Sequence, residues 1–177
     1  MNLQFETYSI SSLDTSNAEA FYNIISSNRN RLEDFFAGTI SRTRTFADTL
    51  DYCKVIEKRI EEKSYFPFSI TDNITNSCIG FIDVKNIDWN IPKAELGYFI
   101  DKDYEGKGIM SKALGHVMEY IIQAYKFKKL LCRVASNNRG SIAVAIKNGF
   151  DLEGTIRCDY KTTKGEIVDL NYYGRIF

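Results

Sequence analysis

Leu96-Gly97-Tyr98-Phe99-Ile100-Asp101-Lys102-Asp103-Tyr104-Glu105-Gly106-Lys107-Gly108-Ile109-Met110-Ser111 is the stretch that decides the fold. An apolar, aromatic run reads as a strand, a polar loop with two glycines follows, and a helix begins at once. From Gly108 to Tyr125 the apolar residues Met110, Ala113, Leu114, Val117, Met118 and Ile121 recur at helical spacing, with Lys112, Glu119 and Gln123 on the other face. Leu130 to Ala135 then reads as a buried strand. A strand–helix–strand crossover of this kind makes its two strands parallel neighbours.

The elements on either side complete a mixed α/β chain with one central sheet. Ser16 to Asn28 reads as a helix behind an N-cap at Asp14 to Ser16, and Phe46 to Lys63 as a second helix. Tyr65 to Thr71, Cys78 to Val84 and Ala94 to Asp101 read as antiparallel strands, the first two separated by Asp72-Asn73 and Asn76-Ser77. Ser141 to Lys147 reads as a short helix stopped at Asn148-Gly149. Phe150 to Asp159 and Ile167 to Ile176 read as closing strands around Lys164-Gly165. With 177 residues, no Gly/Ser linker and no repeat, residues 1–177 are expected to form a single domain.

Composition narrows the function. The chain carries 23 basic and 23 acidic side chains, so no overall field draws it to nucleic acid. The halves differ: residues 1–90 hold 9 basic and 13 acidic groups, residues 91–177 hold 14 and 10. An anionic ligand therefore suits the second half. Cys53, Cys78, Cys132 and Cys158 form no C-x-x-C pair and His116 is the one histidine, which argues against a structural metal. The spacing is not a disulfide framework, and no run nears the ~18 apolar residues of a membrane span. A reducing, cytoplasmic setting is expected, without a membrane partner.

The two-glycine loop lets backbone come close to a ligand, and free N–H groups in the following helical turn favour an anion such as a diphosphate. Lys107 and Lys112 add charge and Ser111 a hydroxyl donor. A Walker A loop would need glycine at Asp101 and a dinucleotide fingerprint glycine at Ser111, so neither applies. An ordinary glycine-containing turn is the competing reading. A second strand-to-helix junction, Ser136-Asn137-Asn138-Arg139-Gly140-Ser141, opens at the same sheet edge, where ligands of open α/β sheets bind. Taken alone, Asn138-x-x-Ser141 is a helix cap.

Together, YEGKGIMSKAL (Tyr104 to Leu114) and NRGSIAVAIKNGF (Asn138 to Phe150) resemble the GNAT superfamily of acetyl-coenzyme A-dependent N-acetyltransferases. Within it, the chain is most similar to the ribosomal-protein-serine N-acetyltransferase group, including its closing D-x-N-x-Y at Asp169 to Tyr173. The resemblance implies a mixed sheet of about seven strands, antiparallel in its first half, with a splayed parallel pair in the centre and helices on both faces. Two positions depart from the family signature: Glu105 stands for Gln or Arg, and Met110 for Gly or Ala. A carboxylate beside a diphosphate must turn outward or pair, Lys107 being the near partner.

The resemblance also implies a site. Glu95 corresponds to the glutamate that takes a proton from the amine, the alternative being a solvent-facing residue paired with Lys93. The N–H of Tyr98 is the expected oxyanion donor, Ile100 and its neighbour Phe99 line the pantetheine arm, and Gly97 suits a bulge there. Ser141 is the expected proton donor to the leaving thiolate, unless it only caps its helix or touches phosphate, with Tyr160 beside Asp159 as runner-up. Gly106, Lys107, Gly108, Ile109, Met110 and Ser111 would hold the diphosphate, Asn138 the pantetheine and Lys147 a phosphate, though Lys147 also reads as a solvated helix residue. His116 is assigned no chemistry, and no metal is implied. The implied cofactor is acetyl-CoA and the implied partner an amine, on a protein N-terminus or on a small molecule such as a polyamine or aminoglycoside. A non-catalytic acyl-CoA-binding module is the reading from another class. Pairing through the late strands would give a homodimer.

Overall fold

The computed structural model describes residues 2–177. In chain order the elements are β1 (Asn2–Phe5), β2 (Tyr8–Ser12), α1 (Ala18–Leu32), α2 (Ala37–Ser41), α3 (Phe46–Glu61), β3 (Phe66–Asp72), β4 (Ser77–Asp88) and β5 (Lys93–Ile100). They continue with α4 (Ile109–Tyr125), β6 (Lys129–Ala135), α5 (Arg139–Lys147), β7 (Asp151–Lys161) and β8 (Ile167–Ile176). The eight strands form one mixed sheet in the order β1-β2-β3-β4-β5-β6-β8-β7. Six of these strands are read from the sequence and about seven are implied by the resemblance; the two of the β1–β2 hairpin are not read from it. Its residues alternate too weakly to be read, because only Phe5 and Ile10 bury large apolar side chains there.

Local chemistry sets the helix starts. Asp14 accepts from the Ser16 N–H at 2.8 Å and donates its own N–H to Asn17 Oδ1 at 3.0 Å, a capping box ahead of α1. Helix α1 runs past Asn28 because Leu32 still falls on its buried stripe. Thr45 and Asp48 make the same reciprocal pair at the start of α3 (3.1 and 3.0 Å).

The chain divides into two compact units, one of residues up to Asp83 with Tyr98–Glu105, the other of Val84–Gly97 with Gly106–Phe177. The first packs Phe21, Ile25, Cys53 and Ile56 of its helices on Phe81, all completely buried. The Phe21 and Phe81 rings lie 5.0 Å apart, and Phe81 is 5.7 Å from Phe99. Within this apolar core, buried Tyr65 donates to Asp83 Oδ2 at 3.0 Å. Burial, with Asp83 next in effect, pushes the Tyr65 phenol well above its ordinary value, so it remains a donor.

In the second unit, β5 and β6 are parallel, as the crossover requires, while β6–β8 and β7–β8 are antiparallel. Parallel pairing matches only Lys93, Ala94 and Glu95 with Lys129, Leu130 and Leu131. β6 stays in register with β8 as far as Ala135 opposite Leu170. The β5–β6 ladder therefore ends at Glu95 and Leu131 while each strand runs on, a fork in the ladder. Asn148 ties the two helices of this unit: its Nδ2 donates to Ser111 O at 3.1 Å and to Val144 O at 2.9 Å.

Truncating the wholly buried Phe81 to alanine is expected to cost about 3–5 kcal/mol in urea unfolding. Val55→Ala, at an α3 position that is 51% exposed, should stay within about 0.5 kcal/mol.

Candidate functional site

The loop ahead of α4 is built to approach an anion. Gly106 and Gly108 adopt φ of +73° and +77°, which side chains rarely tolerate, and a Cβ at either would meet nothing within 4 Å. Gly108 is the N-cap of α4 and contributes no side-chain cap, while the first helical bond runs from Lys112 N–H to Gly108 O. The N–H groups of the preceding turn therefore have no partner within the helix. Ile109 and Met110 bury their side chains (3% and 5% exposed), so what they offer a ligand is backbone. Lys107 is exposed and Ser111 half-buried. Backbone donors, a lysine and open space form a donor set that fits the diphosphate of coenzyme A.

Glu105 is not left facing that loop. It forms an ion pair with Arg31 of α1. Arg31 also donates to Asn28 Oδ1 at 2.7 Å, and the buried Asn28 donates to Asp101 Oδ2 at 2.7 Å. The partner is thus a distant arginine in place of the neighbouring Lys107, which local sequence cannot reveal.

Glu95 also differs from the bland expectation. It is 8% exposed, and Lys93 pairs with Asp88 instead (3.7 Å). Glu95 Oε2 accepts from Asn86 Nδ2 at 2.8 Å and Arg133 Nε at 3.0 Å, and Oε1 lies 4.0 Å from Lys85 Nζ. Adjacent strand residues normally point to opposite faces. Lys85 and Asn86 both reach Glu95 because Asn86 takes a left-handed φ of 50°, which asparagine tolerates.

The charge row continues across the sheet. Arg133 is paired with Tyr172 of β8 and its guanidinium lies 6.0 Å from that ring. Tyr172 donates to Asp159 Oδ2 at 2.7 Å. Burial first, and the Asp159 bond next, raise the Tyr172 phenol above its ordinary value. Partial burial opposes the charge on Arg133, yet Glu95 and Tyr172 outweigh it and leave the guanidinium above its ordinary value.

The remaining expected residues lie on β5, α5 and β7 or cap α5. Asn138 caps α5 by accepting the Ser141 N–H at 3.0 Å, and Ser141 is half-buried. Lys147 is exposed in the last turn of α5, the end remote from Asn138. Phe99 turns its ring into the first unit's core, 5.3 Å from Phe36, so only its backbone can serve a ligand, and Tyr98 is likewise buried. Ile100 ends β5 half-buried, and Tyr160 is half-buried on β7 beside Asp159, whose bond goes to Tyr172. The sequence reading missed Arg133. Its signal was a charge inside the apolar run Leu130 to Ala135. Among the described residues no group of three or more His, Cys, Asp or Glu could hold a metal, and no helix is long and apolar enough to cross a membrane.

Comparison with known proteins follows the same lines. The family model described as Acetyltransferase (GNAT) domain matches residues 10–151. YdaF of Bacillus subtilis is 30% identical over 170 residues, 95% of this chain and 90% of YdaF. The ribosomal-protein-serine acetyltransferase of Escherichia coli is 32% identical over 98 residues, 55% of this chain and 54% of that enzyme. Among solved structures, the ribosomal-protein-S5-alanine acetyltransferase of Vibrio fischeri superposes with a TM-score of 0.91 at 21% identity, covering 99% of this chain and 96% of that one. RimL, a ribosomal L7/L12 α-N-protein acetyltransferase in complex with coenzyme A, gives 0.91 at 21% identity, covering 100% and 98%. At these identities the structures speak for the fold.

Gly108→Ala places a side chain at φ +77° without a clash, so its cost is conformational. It should lower unfolding stability by about 1–2 kcal/mol and weaken coenzyme A binding, read by calorimetry. Gly38→Ala, within α2, should leave coenzyme A binding unchanged.

Proposed function

Because the chain belongs to the GNAT acetyltransferase family and is an N-acetyltransferase that uses acetyl-CoA, we propose that its acceptor is the N-terminal amine of a protein, of ribosomal-protein type. The observation that carries the cofactor part of this reading is an uncapped, glycine-led helix start following a strand whose parallel ladder ends at Glu95. The acceptor part is supported by the identity to the ribosomal-protein-serine enzyme over 98 residues. The similarity extends along nearly the whole chain to YdaF, as a shared acceptor requires of both halves.

Each residue has a defined task in this reading. Bound acetyl-CoA supplies the thioester. The N–H groups at the start of α4 and Lys107 hold the diphosphate, and Asn138 orients the pantetheine. Phe99 and Ile100 offer backbone to the same arm. Glu95 takes the proton that the attacking amine must lose, and Tyr98 N–H donates to the carbonyl oxygen as charge develops there. Ser141 donates to the departing sulfur, a task Tyr160 would take if Ser141 only caps α5. Lys147, at the far end of its helix, contributes charge at most. The cytoplasm is the natural setting for such an acceptor, and the four cysteines form no disulfide. A single catalytic domain over residues 1–177, pairing as a homodimer, completes the proposal.

A small-amine acceptor is the second reading. Its support is the spermine/spermidine N(1)-acetyltransferase of Bacillus subtilis, 30% identical over 59 residues but only 33% of this chain.

Incubation with acetyl-CoA, peptides bearing free serine or alanine N-termini, their blocked counterparts and spermidine should yield acetylated free-terminus peptides by mass. Modification of spermidine alone would transfer the assignment to the second reading. Glu95→Gln should slow kcat by about 10²–10⁴-fold with the cofactor Kd unchanged; an undiminished rate removes Glu95 as the proton acceptor.

A further inference from the structure

Where the β5–β6 ladder ends, an ion pair links the two strands. Glu95 is the last residue of β5 matched with β6, opposite Leu131. Arg133, two positions further along β6, projects on the same face as Leu131 and reaches back so that its Nε donates to Glu95 Oε2 at 3.0 Å. A strand residue past the last ladder pair has no register to fix it against β5, so this contact is what ties Arg133 to Glu95.

Arg133 is itself held. It lies over the Tyr172 ring at 6.0 Å, directly opposite on β8, and Tyr172 is anchored through its hydroxyl to Asp159 at 2.7 Å. Lys85 and Asn86 close on Glu95 from β4. The result is a row of alternating character from Lys85 to Asp159 across β4, β5, β6, β8 and β7. Among the described residues, two donors occupy Oε2, and Oε1 meets a lysine at the 4.0 Å limit of an ion pair. Both hydrogen bonds therefore hold Oε2, and the contact at Oε1 is the longer one.

We propose that Arg133 is a positioning residue for acetyl transfer, holding Glu95 at the vertex of the β5–β6 fork so that Oε1 faces the amine. This rests on Glu95 as proton acceptor. A planar guanidinium is suited to the task, because Nε can bond Glu95 while the rest of the plane lies over Tyr172. A lysine of similar charge has one nitrogen and cannot make both contacts. The Arg133 side chain is a third exposed, so its removal opens no core cavity and the fold should persist.

The test compares full-length Arg133→Ala, Arg133→Lys, Tyr172→Phe and Glu95→Gln, with unfolding curves and cofactor Kd as controls. Arg133→Ala should lower kcat about 10–100-fold with KM for acetyl-CoA within about twofold, the effect of a displaced reacting group. Methylguanidinium in the assay should restore a good part of kcat in that variant, where sodium at equal ionic strength does not. Arg133→Lys should recover less than methylguanidinium, and Tyr172→Phe should lose activity in the same direction to a smaller extent. A slow Glu95→Gln beside an Arg133→Ala with unchanged kcat would overturn the positioning role alone. A slow Arg133→Ala whose KM rises equally, or which no guanidinium restores, would overturn it too. If Glu95→Gln keeps full activity, the reading of Glu95 as base falls first and the positioning role goes with it.

Discussion

Backbone N–H and C=O groups that leave a β ladder must find other partners, and that requirement organises this protein. Parallel pairing of β5 with β6 ends at Glu95 and Leu131, although both strands continue. On the β6 side, β8 keeps the strand in register to Ala135, so the strand cannot simply fray. What ends there is the hydrogen-bonded seam between β5 and β6. A ligand that presents amide groups along its length can occupy such a seam as an added strand would. In the proposed function, the N–H groups at the start of α4 hold the diphosphate of that ligand.

The same end of the ladder explains the unusual placement of charge. A carboxylate 8% exposed on a central strand is costly unless donors surround it, and Glu95 has Asn86, Arg133 and Lys85 around it. In the other unit, Asp83 is buried beside Tyr65, and Asp101 accepts from buried Asn28. Polar groups concentrated on β4, β5 and the loop after β5 fix the conformation of the segments that the proposed chemistry uses. The apolar cores carry the stability.

Much of this was legible in the sequence. The 3.6-residue period of α4, the crossover to β6, the capping signals at Asp14 and Asn138 and the two glycines all act locally, and each appears where expected. The β1–β2 hairpin escaped because a short edge pair with few buried apolar residues leaves almost no alternation to detect. The partners of Glu95 and Glu105 escaped for another reason. Arg133 lies 38 residues from Glu95 and Arg31 lies 74 from Glu105, so only the folded chain brings them together. Glu95 was singled out through its likeness to a family position, and Arg133, a charge in an apolar strand, was visible but unread.

The fork's role is tested most directly by amide hydrogen exchange with and without coenzyme A, read residue by residue. If the cofactor occupies the seam and the helix start, exchange should slow at Tyr98 to Ile100 and at Ile109 to Ser111, while β1 and β2 keep their rates. Saturating coenzyme A that leaves both segments unprotected would contradict it.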